Sequence, residues 1–324
     1  MINIYYCNLY RNLIKFSTLK RLTSNIIKYY LNNEFYKENT IKEVKLRMEQ
    51  LENYRKMGKE LFDKLKLMTY PVGIKFVKKG ETPPKGPFRP HEIFGAPLCT
   101  CTIGTWARRQ GFSFYADKED IHCLPSAVKY FGLREVENHP EPVHEGWAKH
   151  AGYKVDLAAE KSSRATDATF KPGEIEGIVF SPLNKTVVKP DLVMIYCPPV
   201  ILGHLILAAT YDGSCIISEF NGMEASCKGI VKTYQSDECY IACPGLGDRS
   251  MSAPGDNEMI FFIPESKLET VVNNLFKAGN KLPGGGESVM IPQSIATLGS
   301  NKIYGKLPEP KVFAYIRRRF IEKD

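Results

Sequence analysis

Short apolar runs bounded by turn residues alternate along the chain with stretches of helical spacing, and this alternation restricts the fold most. The runs PVGIKFVKK from Pro71, GFSFYAD, GIVFSPL, DLVMIYCPP, Ser214–Phe220, ECYIAC and EMIFFIP have strand length and strand composition. Between them, Val44, Leu46, Met48, Leu51, Tyr54, Met57, Leu61 and Leu65 fit a period of about 3.6 residues. Further helices are expected at CTIGTWARRQ, from Lys118-Glu119-Asp120 through Cys123 to Gly132, at 199–210, at ASCKGIVKTY and from Pro264 to Lys277. Residues 80–98, with five prolines, read as a loop, as does PGLGDRSMSAPGDN; the polar stretch 134–175 reads as an exposed excursion. The expected class is α/β or α+β, a mixed sheet with helices.

The order of elements repeats. The strand PVGIKFV leads to Cys101, a helix, the strand FSFYA and Cys123. The strand DLVMIY leads, through an intervening helix and strand, to Cys227, a helix, the strand CYIAC and Cys243. The two cysteine separations are 22 and 16 residues. Residues 41–280 are therefore expected to form a core of two related halves, about 41–135 and 176–280, in a pseudo-twofold arrangement. Residues 281–324 form a C-terminal arm.

Residues 1–40 differ in texture, being rich in Asn, Tyr, Ile and Lys without Gly or Pro. They fit an organellar targeting segment, or an upstream extension with Met48 or Met57 as alternative starts; the scarcity of Arg favours the extension.

Charge and cysteine usage narrow the function classes. The formal net charge is +8, but Arg11, Lys15, Lys20, Arg21 and Lys28 sit in the first 33 residues, which hold no acid. Without those five, 39 basic residues face 36 acidic ones, so the folded part lacks the basic excess of a nucleic-acid binder. Nine cysteines, an odd number, sit in a chain with no clean secretory signal, which points to thiols or metal ligands in a reducing compartment. A cytoplasmic location is expected, or an organellar one if residues 1–40 are a targeting segment. The most apolar stretch, Val200 to Thr210, has 11 residues, about half of the ~20 a crossing helix needs, and is expected to be a core helix.

The stretch LCTCTIGTWARRQGFSFYADKEDIHCLPSAVKYFGL resembles the signature of the family known as domain of unknown function 169. The opening LFDKLKLMTYPVGIKFV and the run from ASCKGIV through CPGLGDR to NEMIFFIPESKLETVV are similar to the same family, over roughly residues 45–280. The resemblance singles out Cys101, Cys123, Cys227 and Cys243 and implies no activity. Cys99 and Cys239 are additional thiols beside that pattern.

Four thiolates from distant segments suit an iron–sulfur cluster or zinc, both soft centres that prefer sulfur. The local Cys-x-x-Cys signal is absent, so buried packing thiols and redox-active or nucleophilic thiols remain alternatives. Cys101 and Cys227 each sit near the start of a helix, where dipole and free amides favour a thiolate. The leading reading is a redox or sulfur-handling protein with a redox partner, its metal or cluster held by Cys101, Cys123, Cys227 and Cys243. The alternative is a small-molecule binding module with its ligand at the loop CPGLGDR, where Gly245 and Gly247 let amides approach an anion and Arg249 adds a donor. An Asp248–Arg249 salt bridge is the structural reading of the same loop. His122 is expected at the surface or as a substitute ligand, and Arg108-Arg109 as a solvated helix face. The sequence sets no oligomeric state.

Overall fold

The structure, a computed structural model, describes residues 38–135, 141–222, 225–275 and 277–278. Nearly all of the N-terminal segment 1–40, and the C-terminal arm 281–324, lie outside the described residues. The chain divides into two compact units, Met1–Glu52 and Asn53–Asp324. In the first, the described part opens helix α1 (Glu38–Lys64), exposed from Lys45 to Gln50.

The second unit is built on a six-stranded sheet in the order β2-β3-β1-β4-β6-β5. The strands are β1 (Val72–Lys78), β2 (Phe114–Asp117), β3 (Ile175–Pro182), β4 (Leu192–Cys197), β5 (Tyr240–Ala242) and β6 (Met259–Pro264). Every neighbouring pair is antiparallel. Counted inward from either edge, three strands lie in the sequence second, third, first, and β1 and β4 meet at the centre.

Helices cover both faces of this sheet, which explains why β4 is buried at all six positions instead of alternating. Alternate residues still separate the faces. Leu192, Met194 and Tyr196 join one core, with Ile74, Phe76, Phe180 and Phe262. Val193, Ile195 and Cys197 join the other, with Phe261 and Ile263. The first face carries helices α3 (Thr100–Gln110) and α7 (Ala225–Ser236) and the π-helical turn Pro125–Tyr130. The second carries α6 (Pro199–Ala209), α9 (Glu265–Asn274) and the α1 stripe Tyr54, Met57, Leu61 and Leu65, whose three- and four-residue spacing gives one buried helical side. Gly58 lies within this stripe because a Cβ there would stand 2.4 Å from the Asn184 backbone nitrogen.

The class is the one the alternation predicts, and several local expectations are corrected. The stretch 80–98 is not all loop, since α2 (Pro90–Phe94) forms after Arg89 with proline at its first position. Lys118–Asp120 does not begin a helix: Asp120 accepts from Arg89 Nε at 2.7 Å and faces His91 Nδ1 at 2.5 Å, and helical winding resumes only at Pro125. The polar stretch 134–175 holds α4 (Glu141–Glu145), a π-helical turn (Gly146–Ala151) and α5 (Leu157–Ser163). It buries His144, Glu160, Arg164 and Phe170, its charges being paired internally instead of solvated. Ser214–Phe220 forms no strand; Ser218 Oγ accepts from Ile241 N and Glu219 O from the Tyr240 hydroxyl, both on β5, and Ile217 is 80% exposed. Part of the loop PGLGDRSMSAPGDN winds into α8 (Leu246–Met251). Helix α6 buries Ile201, Leu202, Leu205 and Ala208 but leaves Val200 and Leu207 exposed, so it is a one-sided cover. No helix among the described residues is long and apolar enough to cross a membrane.

Candidate functional site

Three chain segments bring thiols together on the first face. An isolated parallel bridge pairs Leu98 with Ile121; Leu98 N donates to Asp120 O at 2.8 Å and His122 N to Leu98 O at 3.3 Å. The bridge is held by Arg89, whose guanidinium joins Asp117 and Asp120. It places Cys99, the residue capping α3, beside His122 and Cys123. One residue into α3, Cys101 lies against Cys227 in the first turn of α7. Helix α7 sits close over β6 because Gly229 offers no Cβ; one added there would come within 2.2 Å of the Phe262 ring. Both helix N-termini therefore converge on the thiols, supplying partial positive charge and free amides.

The thiols influence one another electrostatically two by two, Cys99 with Cys123 and Cys101 with Cys227, and none of the described cysteines is in a disulfide. In the first pair, the hydrogen bond from Cys99 holds the Cys123 thiol down at about 6 against the opposing effect of burial, with Ser126 and His122 assisting. The same bond, with burial, pushes Cys99 up, so one proton stays on Cys99. In the second pair, the bond to Cys101 and then burial push Cys227 well up. The Cys227 bond pulls Cys101 down, but burial and the neighbouring Asp248 carry it upward overall.

Asp248 is the inward-facing group of the glycine loop. Buried to 1% exposure, it accepts from Ser226 N at 3.1 Å, Ser226 Oγ at 2.7 Å and the Tyr196 hydroxyl at 3.1 Å. Because the Ser226 hydroxyl proton goes to Asp248, the 3.5 Å contact between Ser226 Oγ and Cys101 Sγ has the thiol as donor. The loop is latched to α3: Thr102 Oγ1 donates to Met251 O at 2.9 Å and Thr105 Oγ1 to Ser252 O at 2.7 Å. Arg108, expected on a solvated face, is buried instead. It lies 4.2 Å from the Tyr196 ring centroid and donates to Ser252 O at 2.8 Å and Ala253 O at 3.1 Å.

Of the residues singled out from sequence, Cys101, Cys123 and Cys227 lie in the set. Cys243 is exposed at the start of the glycine loop, and Cys99 is the fourth thiol of the cluster. Gly245 caps α8 and Gly247 is its second residue. Arg249 turns outward to Asp256, at 3.8 Å, while Asp248 turns inward, so the two do not pair with each other. Among the described residues, no group of three or more His, Cys, Asp or Glu is set for a metal ion. Thr100, between Cys99 and Cys101, is buried with its hydroxyl unpartnered among the described residues. Behind Cys227, Lys228 Nζ reaches Asp167 at 3.0 Å and Glu219 at 3.1 Å, and Lys129 Nζ reaches Asp167 at 2.5 Å, a buried ion cluster no local motif announces.

No curated protein and no solved structure matches the chain. A family profile does match it, over residues 60–274, spanning β1 to β6 and all four clustered thiols. The chain belongs to the family with that profile, DUF169, described as uncharacterised ArCR.

Proposed function

We propose that this chain is a redox or sulfur-handling protein whose working centre is the thiol set Cys99, Cys101, Cys123 and Cys227. The observation that carries the reading is that the Leu98–Ile121 bridge and the 3.5 Å contact of Cys101 Sγ with Ser226 Oγ bring the segments of Cys99, Cys101, Cys123 and Cys227 together beside the N-termini of α3 and α7. Each pair has the composition of a dithiol couple, which passes two electrons by closing to a disulfide. Cys123, whose thiol the neighbouring donors hold below the usual range, supplies the nucleophile such exchange requires.

A second reading is favoured by the number of thiols and by the orphaned Thr100 hydroxyl. Exchange needs two sulfurs, whereas a sulfur-ligated centre takes four, and a bound group would give the buried hydroxyl a partner. On this reading the set holds an iron–sulfur cluster or zinc, with Cys99 in place of Cys243.

One experiment separates the two. Protein purified without oxygen is assayed for iron, zinc, acid-labile sulfide and free thiols, and its absorption spectrum is taken. The dithiol reading predicts metal-free protein in which mild oxidation removes thiols in twos and reductant restores them. One metal centre per chain, lost on changing Cys101 or Cys227 to Ser, establishes the second reading.

A further inference from the structure

We infer that Cys123 is the attacking thiolate of a thiol–disulfide exchange site, with Cys99 as resolving thiol, His122 as the acceptor of its proton, and a small disulfide as substrate. The inference rests on the dithiol reading and adds the residue roles and the substrate class.

Access orders the two thiols of the pair. Cys123 is partly exposed between the exposed residues His122 and Leu124, whereas Cys99 is 7% exposed; Cys101 is likewise partly exposed beside buried Cys227, and the His122 contact is what singles out the first pair. A disulfide arriving from solvent therefore meets Cys123 with Cys99 directly behind it. His122 is oriented by its backbone contact. A carbonyl oxygen only accepts, so the 3.2 Å contact between Nδ1 and Pro97 O places a proton on Nδ1. In the neutral ring Nε2 then carries the lone pair, and it faces Cys99 Sγ at 3.5 Å. The ring is thus in the tautomer that can take the Cys99 proton. The Leu98–Ile121 bridge, anchored by Arg89, fixes all three groups on two adjacent segments.

The steps balance as follows. Cys123 Sγ attacks one sulfur of the substrate; the substrate's S–S bond breaks, and the departing thiolate takes a proton from solvent. Cys99 passes its proton to His122 Nε2 and attacks Cys123 Sγ. The mixed disulfide breaks, the second substrate thiol leaves with the proton from His122, and a Cys99–Cys123 disulfide remains. Two electrons have moved from the pair to the substrate, and an external dithiol returns them.

The test uses the reduced full-length chain with cystine as the probe. Cys99→Ser should trap one cystine-derived half on Cys123, located by peptide mass mapping, and Cys123→Ser should abolish that adduct. His122→Ala should slow release of the second thiol by about 10²-fold near neutral pH, far more than it slows the first attack. A purely structural histidine would not separate those two steps. Melting curves identify variants that fail to fold, and Cys99→Ala replaces Cys99→Ser if needed. An adduct on Cys101 or Cys227 with Cys123 untouched overturns the assignment while leaving the thiol centre standing. A chain in which none of the four reacts overturns the underlying reading as well.

Discussion

The two faces of the sheet hold the same residue type in opposite circumstances. Cys197 and Cys239 lie in the second core among Val193, Ile195, Leu202 and Phe261, where burial pushes both thiols up to about 12. Burial outweighs the opposing charge of Lys267 near Cys239 and is unopposed at Cys197 among the described residues, so they pack as small hydrophobes. Cys123 is also largely enclosed, yet a neighbouring thiol, Ser126 and His122 bring it down to about 6. Burial alone does not decide what a cysteine does; the hydrogen-bond donors around it do. The difference separates the four thiols of the proposed centre from two packing ones within one small sheet.

The largest effect on that comparison should come from Asp248. Changing it to Ala leaves Ser226 N, Ser226 Oγ and the Tyr196 hydroxyl without their buried acceptor. We expect a loss of about 3 kcal/mol or more, read by denaturant unfolding, with Asp248→Asn recovering part of it. Cys197→Ser and Cys239→Ser should each cost about 1–3 kcal/mol for a hydroxyl in an apolar core, and leave the reactivity of Cys123 unchanged. An altered Cys123 alkylation rate in either variant would remove the distinction between the faces.

The pH dependence sharpens the contrast. Because folding lowers the Cys123 pKa from 9.0 to about 6, the thiolate's stabilising contribution is complete above pH 9 and lost as pH falls through about 6. Alkylation of Cys123, followed by peptide mass mapping, should accordingly reach half its maximum rate at a pH well below that of an ordinary thiol, while Cys197 and Cys239 stay unreactive until the protein unfolds. The smallest effect is expected at Arg249. Its ion pair among the described residues is 3.8 Å long and made with the fully exposed Asp256, so Arg249→Ala should change stability by less than about 0.5 kcal/mol.

The fold was legible where local pattern decides it. All six strands and the helices carrying Cys101 and Cys227 follow from apolar runs, proline placement and spacing. The pattern failed where side chains claim the backbone: Asp120 holds Arg89 and His91 instead of starting a helix, and Ser218 and Glu219 bond to β5 residues instead of laddering. In the proposed centre, Cys101, Cys123 and Cys227 were singled out by family signature and helix position. Cys99 was not, because its role depends on a single bridge between residues 23 positions apart. Asp248 and Arg108 were hidden for a related reason. A charged residue in a loop or on a helix reads as solvated unless its distant partners are known, and here those are Ser226, Tyr196 and Ser252.

The central claim, that four thiols of the first face form one centre, is tested most directly by a disulfide map. The reduced chain is oxidised mildly under native conditions, blocked, digested and analysed by mass spectrometry. The account predicts Cys99–Cys123 and Cys101–Cys227 disulfides, with Cys197 and Cys239 recovered as free thiols. Disulfides that join Cys101 or Cys123 to Cys197 or Cys239, or all four thiols recovered unpaired, would contradict it.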